Sequence, residues 1–233
     1  MSSRNRSLTG QLTFGSLFSG IGGLDLGLER AGMECRWQSE IDPYASRVLA
    51  KHWPNVPNLG DIREIDWQRV ERTDVICGGY PCQPFSYAGG RNGTDDPRHL
   101  WPMFAEGIRI LRPRFALLEN VSGHLSLGFG QVLGELAEIG YDARWDCIPA
   151  SSVGAPHLRD RVFVVAVDSN SKSELFRTIF PKPERLRWLP EPDVRGMDDG
   201  IPYRMDRLRA LGNAVVPQVA EHVGRIVREL AND

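Results

Sequence analysis

Lysine is scarce in this chain of 233 residues: among 28 basic side chains only Lys51, Lys172 and Lys182 are lysines, and the rest are arginines. Arginine suits bidentate phosphate contact, although a biased codon usage produces the same skew. Charge of one sign is also missing. A formal net charge of -2 excludes a protein that coats nucleic acid through bulk attraction, while leaving room for a local basic cleft. Cysteine is sparse, at Cys35, Cys77, Cys82 and Cys147, and the spacing includes no Cys-x-x-Cys, so neither a zinc knuckle nor a redox pair is supported and no metal site is expected. No apolar run approaches the roughly 20 residues that span a bilayer. The first residues, Met1 to Gln11, are polar, with Arg4 and Arg6, and lack the apolar stretch of a signal peptide. A cytoplasmic protein without a membrane association is expected.

What is present points to one sheet edge. Asp74-Val75-Ile76-Cys77 reads as a buried strand, and it empties into Gly78-Gly79-Tyr80-Pro81-Cys82-Gln83-Pro84-Phe85-Ser86. Gly and Pro prevent helix or strand from continuing, so Cys82 falls on a loop at the carboxyl end of that strand. Pro81 restricts the residues before it to extended geometry. In open α/β sheets this edge is where ligands bind. A thiol held there is a candidate nucleophile, whereas Cys35, Cys77 and Cys147 lie in apolar strand contexts where cysteine is an inert core residue.

The same alternation recurs along the chain. Strands are predicted at Leu12 to Phe18, Cys35 to Ser39, Asp74 to Cys77, Phe115 to Leu118, Arg144 to Ile148 and Val162 to Val167. Helices are predicted at Leu24 to Ala31, at Pro43 to His52 behind an Asp42 cap, near Leu100 to Leu111, over Gln131 to Ile139 and over Asn213 to Leu230. Strand–helix alternation means βαβ units and an α/β fold with a mostly parallel sheet covered on both faces. From Asp168 to Asp206 the periodicity lapses and seven prolines or glycines accumulate, as in a small irregular subdomain or a long linker.

Four further motifs carry chemistry. Phe18-Ser19-Gly20-Ile21-Gly22-Gly23-Leu24 lets backbone approach a ligand where a strand becomes a helix. Asp25 stands where the dinucleotide fingerprint requires its third glycine, and no Lys-Ser/Thr follows, so a nucleoside cofactor without pyrophosphate fits better than NAD or ATP. Glu40 closes the second strand, where an acidic side chain meets ribose hydroxyls. Leu118-Glu119-Asn120-Val121 brings a carboxyl to the edge that carries Cys82. Arg159 and Arg161, at alternate positions entering a strand, should project to one face. Leu211-Gly212-Asn213-Ala214-Val215-Val216-Pro217 opens the last helix, with Asn213 as its cap and Val223, Ile226, Val227 and Leu230 as its apolar stripe.

Together and in this order, these motifs resemble the DNA cytosine-5 methyltransferase family of bacterial and prophage type, with an unusually short target-recognition region. The resemblance covers nearly the whole chain, from Phe18 to Pro217. It departs at His157, where the family commonly carries Gln. It implies a Rossmann-like methyltransferase fold with residues 1–167 as catalytic domain, 168–206 as recognition segment and 207–233 returning to the catalytic domain. It also implies S-adenosylmethionine as methyl donor, S-adenosylhomocysteine as product, double-stranded DNA as partner, and a cognate restriction endonuclease or a separate recognition partner as further candidates. The donor pocket would comprise Phe18, Ser19, Gly20, Gly22, Gly23, Leu24, Glu40, Ile41, Asp61, Ile62, Gly78, Asn213 and Val215, with Phe18 on the adenine, Glu40 on the ribose and Asp61 accepting from the adenine amino group. Cys82 would attack carbon 6 of a flipped-out cytosine, supported by Pro81, Glu119, Asn120, Arg159 and Arg161. A cytosine-5 methyltransferase acting on RNA, a cofactor-binding DNA-binding subunit and a dinucleotide oxidoreductase are the competing readings.

Overall fold

The computed structural model describes residues 10–81, 100–126, 128–170, 176, 180 and 204–233. Its frame is a six-stranded sheet in the order β2-β1-β3-β4-β6-β5. The strands are β1 (Thr13–Leu17), β2 (Glu34–Ser39), β3 (Val75–Gly78), β4 (Phe115–Val121), β5 (Tyr141–Pro149) and β6 (Asp160–Asp168). The pairs β1–β2, β1–β3 and β3–β4 are parallel, whereas β6 lies antiparallel between β4 and β5. The predicted α/β class with a mostly parallel sheet is therefore the observed one.

The middle strands are apolar on both faces because helices cover both. Successive side chains of β6 divide between the layers. Phe163, Val165 and Val167 join Leu28 of α1 (Gly23–Arg30) and Val223 and Val227 of α6 (Pro217–Asn232). Val162, Val164 and Ala166 join Phe104 and Ile108 of α3 (Trp101–Leu111) and Val132 and Leu136 of α4 (Phe129–Ile139). A further helix, α2 (Pro43–His52), starts as its sequence predicts: Pro43 occupies the first turn and Asp42 Oδ1 accepts from Ala45 N at 2.8 Å. No helix among the described residues is long and apolar enough to cross a membrane.

One predicted element differs. Asn213 does not open the last helix; it closes a separate one, α5 (Arg204–Asn213). Ala214 to Val216 are non-helical, and α6 begins at Pro217 with Val216 as its cap residue and no side-chain capping bond. Pro217 imposes the break, since it lacks an N–H to continue a helix but suits a first turn.

The first and last helices pack closely because small residues meet between them. A Cβ on Gly27 would lie 2.3 Å from the Ala220 Cβ and 2.6 Å from the Pro217 carbonyl oxygen, and one on Gly224 would lie 2.8 Å from the Ala31 Cβ. Gly27→Ala gains roughly 1 kcal/mol of helix propensity, yet it must push two backbones apart, a distortion that costs about 1–3 kcal/mol. The clash with backbone dominates, and a net loss of up to about 2 kcal/mol is expected in urea unfolding. An unchanged or raised midpoint would refute this account of the contact.

Candidate active site

The carboxyl end of the parallel strands opens into a cleft of about 510 Å³. Its first wall is the turn after β1. Phe18 (φ 54°), Gly20 (φ 56°) and Gly22 (φ 82°) are all left-handed there, a conformation that costs a phenylalanine but not a glycine. Gly22 N donates to Ser19 O at 2.9 Å, and Ser19 N to Ser39 O at 3.2 Å. The Glu40 carboxylate binds this turn to the next helix, accepting from Gly20 N at 2.8 Å and from Asp42 N at 2.7 Å. Phe18, Ser19, Gly20, Leu24, Glu40 and the exposed Ile41 line the cleft. Gly22, Gly23 and Gly78 stand behind that lining. Gly23 is required by a close approach, since a Cβ there would sit 2.3 Å from the Val215 carbonyl oxygen.

The opposite wall comes from β3, β4 and β6. Glu119 and Asn120 do not follow β4 but lie within it, both buried. Asn120 Nδ2 donates to the Tyr80 carbonyl at 3.0 Å, which ties β4 to the chain leading into Pro81. Glu119 Oε1 meets Arg161 Nε at 3.0 Å. A side chain at position 79 would place its Cβ 2.7 Å from Glu119 Oε2, so the carboxylate needs the glycine. Pro81, Glu119, Asn120 and Arg161 line the cleft together. Cys82 lies outside the described residues.

The arginine pair separates. β6 begins at Asp160, and Arg159 before it has a φ of 37°, so strand alternation does not extend to it. Its guanidinium donates to the Gly212 and Ala214 carbonyls at 2.7 and 2.6 Å instead. Arg159 thus holds the α5–α6 joint, from which Asn213 and Val215 reach the cleft. Asp61 and Ile62 stand outside the lining. The Asp61 carboxylate caps a short turn through Arg63 N and pairs with the Arg63 guanidinium, and Ile62 is core. Of the recognition segment 168–206, only residues 168–170, 176, 180 and 204–206 are described.

Several cleft residues escaped the sequence reading. Tyr80 anchors the entry to the Pro81 loop: its ring packs on Trp101 at 5.1 Å, and its hydroxyl lies 2.9 Å from His124 Nε2. Asp206, Arg209 and Ala210 join the expected Asn213 in lining the cleft from one face of α5, at the i, i+3, i+4, i+7 spacing of a helix. Among the described residues, no cluster of His, Cys, Asp and Glu could hold a metal ion.

The family model for C-5 cytosine-specific DNA methylases matches residues 12–195. The chain belongs to this family. Among its methylase relatives, the Type II methylase M.HgiEI of Herpetosiphon aurantiacus is 37% identical over 180 residues, covering 74% of this chain and 40% of the relative. The Type II methyltransferase M.HhaI of Haemophilus parahaemolyticus is 32% identical over 188 residues, covering 78% of this chain and 56% of the relative. A candidate DNA modification methyltransferase encoded within an E. coli prophage has a solved structure that superposes with a TM-score of 0.57 at 30% identity, covering 69% of this chain and 47% of that one. The chain therefore spans about half the length of these methylases. The fold is the Rossmann-like fold of S-adenosylmethionine-dependent C-5 methyltransferases.

The Glu119 carboxyl is pushed up to about 7, because burial outweighs the opposing charges of Arg161 and Arg159. A carboxyl at its ordinary 4.5 in the unfolded chain binds fewer protons than the folded one between these two values. Folding stability from this group is thus lost as pH rises through about 7. Glu119→Gln abolishes that slope. Its stability relative to the native chain is expected to grow by about 2–3 kcal/mol between roughly pH 5 and pH 8. Parallel urea curves at the two pH values would contradict the raised carboxyl.

Proposed function

We propose that this chain transfers a methyl group from S-adenosylmethionine to carbon 5 of cytosine in double-stranded DNA, through a covalent Cys82 adduct on a flipped-out base. The observation that supports this most is the meeting, in one cleft, of a buried carboxyl–guanidinium pair and a carboxylate-held glycine turn. The first, Glu119 with Arg161, suits a pyrimidine edge. The second, Glu40 with Gly20, suits a nucleoside.

The donor set of the first wall fits the cofactor the family uses. Glu40 spends one lone pair of each oxygen on a backbone N–H, and its remaining lone pairs are free to accept from ribose hydroxyls. Phe18 offers a flat ring to an adenine, and a Cβ on Gly20 would meet nothing within 4 Å. Ser19, Leu24, Ile41, Asn213 and Val215 complete this part, with Gly22, Gly23 and Gly78 giving the backbone its close approach. Asp61 can serve the adenine only by loosening its pair with Arg63. When bound, S-adenosylmethionine supplies an electrophilic methyl group on a sulfonium and leaves as S-adenosylhomocysteine.

Carbon 5 of cytosine is a weak nucleophile, and addition of the Cys82 thiolate to carbon 6 would make it electron-rich; once carbon 5 has taken the methyl group, loss of its proton to a base and expulsion of the Cys82 thiolate would restore the ring. A proton on Glu119 near neutral pH allows that carboxyl to donate to ring nitrogen 3 as charge builds in the ring. Arg161 would orient the base and stabilise the developing charge. Asn120 holds Tyr80, and so the approach to Pro81 and Cys82. Arg159, bound to two carbonyls, would act as a positioning residue joining the two walls. A stacked base offers carbon 6 to none of these groups, so it must leave the duplex. Double-stranded DNA in the cytoplasm is the proposed substrate, and a cognate endonuclease or recognition partner belongs to the same proposal.

Labelled methyl transfer to duplex DNA and to tRNA by the full chain tests the reading, with bisulfite sequencing of DNA from expressing cells to locate the mark. Transfer to DNA and loss of at least about 10³-fold in Glu119→Gln are expected. Cys82→Ala should retain cofactor binding but form no covalent adduct with duplex DNA carrying 5-fluorocytosine. Label in tRNA alone would replace the DNA substrate with RNA, and adduct formation by Cys82→Ala would remove Cys82 from the chemistry.

A further inference from the structure

One charged group beside the cleft has no part in the chemistry above. Asp25, in the first turn of α1, is fully buried. Each of its bonded partners is neutral. Gln38 Nε2 donates to Oδ1 at 2.8 Å, Ser16 Oγ donates to Oδ2 at 3.1 Å, and the Cys35 Sγ stands 4.0 Å from Oδ1. No ion pair reaches it among the described residues. A carboxyl surrounded only by donors is built for its ionised form. Burial pushes it up to about 6, which leaves it charged at neutral pH. A buried carboxylate without a cation is costly to keep, and its place in the first turn of α1, with its own backbone N–H, offsets only part of that cost.

The position of the charge suggests what offsets that cost. Ser16 and Leu24, which flank Asp25 in space and in sequence, both line the cleft. Ser19 Oγ donates its proton toward Ser16, whose Oγ lies at 3.0 Å and whose carbonyl oxygen at 3.2 Å, and Ser16 Oγ donates to Asp25. Both hydroxyl protons therefore point inward, and the lone pairs of Ser19 are left to the cleft wall. Of the carboxylates that line the cleft, Glu40, Asp42 and Asp206 are partly or fully accessible to solvent, which screens them, and Glu119 is paired with Arg161. The field of Asp25 is screened far less.

We propose that Asp25 is a charge-selectivity residue of the cleft: its buried carboxylate, which no cation pairs among the described residues, relayed through Ser16 and Ser19, favours the cationic sulfonium donor over the neutral thioether that remains after transfer. The inference rests on the reading that the cleft binds S-adenosylmethionine, and it assigns Asp25 the task of easing product from the site. The two ligands differ by one methyl group and one positive charge, so a residue that merely supports the fold affects both alike.

Calorimetric titration of the full chain with S-adenosylmethionine and with S-adenosylhomocysteine separates these roles. Asp25→Asn keeps the shape and removes the charge, and the Gln38 amide can rotate to meet it. Asp25→Ser is a second neutral variant in case the first does not fold. Affinity for the sulfonium is expected to fall about tenfold in either variant, with less than about twofold change for the thioether. Ser16→Ala, which retains the carboxylate, should preserve more of the preference than either. Equal weakening of both ligands, or no change in either, would overturn the proposal while leaving the cofactor reading intact. Failure of the native chain to bind either ligand would overturn both.

Discussion

The cleft exists because α6 can lie against α1 at backbone distance. Glycine and alanine at positions 27, 31, 220 and 224 remove the side chains that would hold the two helices apart. The same closeness brings the Val215 carbonyl onto Gly23 at the start of α1. The turn after β1 thereby acquires a facing wall from a segment nearly 200 residues later in the chain. Arg159 fastens that segment from the other side by its two carbonyl bonds. The geometry at Glu40 and Phe18 would be an open ledge without these contacts.

Two carboxyls near the cleft show how burial and partners divide a task between chemically similar groups. Glu119 faces a guanidinium at 3.0 Å and is still lifted toward neutrality, because its loss of water outweighs the attraction. Asp25 has no cation but gathers neutral donors, which oppose the rise that its burial causes. Near neutral pH the first is poised to exchange a proton and the second remains charged. Glu40 is a third case: both of its oxygens are engaged by backbone N–H groups, and it serves as a brace for the glycine turn.

The strands were legible from sequence because sheet burial on both faces leaves continuous apolar runs such as Val75-Ile76-Cys77 and Val162 to Val167. The cleft motifs were legible for a related reason: glycine and proline at Gly20, Gly22 and Pro81 mark where backbone must turn at a strand end. α5 was not legible. Its apolar side chains Met205, Leu208 and Leu211 are exposed, so no core-facing stripe announces a helix. The parting of Arg159 from Arg161 depends on one left-handed backbone angle that no residue type signals there. Asp25 appeared only as the residue that breaks a glycine fingerprint, because burial of a lone acid depends on Gln38 and Ser16 arriving from two other strands.

The contribution of Asn213 and Val215 to the cleft has a bearing on synthesis. A nascent chain still held at the ribosome can form β1 to β4 and the glycine turn, but it lacks the closing wall until α6 emerges and seats on α1. Small molecules that fit the finished cleft therefore cannot help the early part to fold. A ligand for the cleft can stabilise the polypeptide only once α6 is seated on α1.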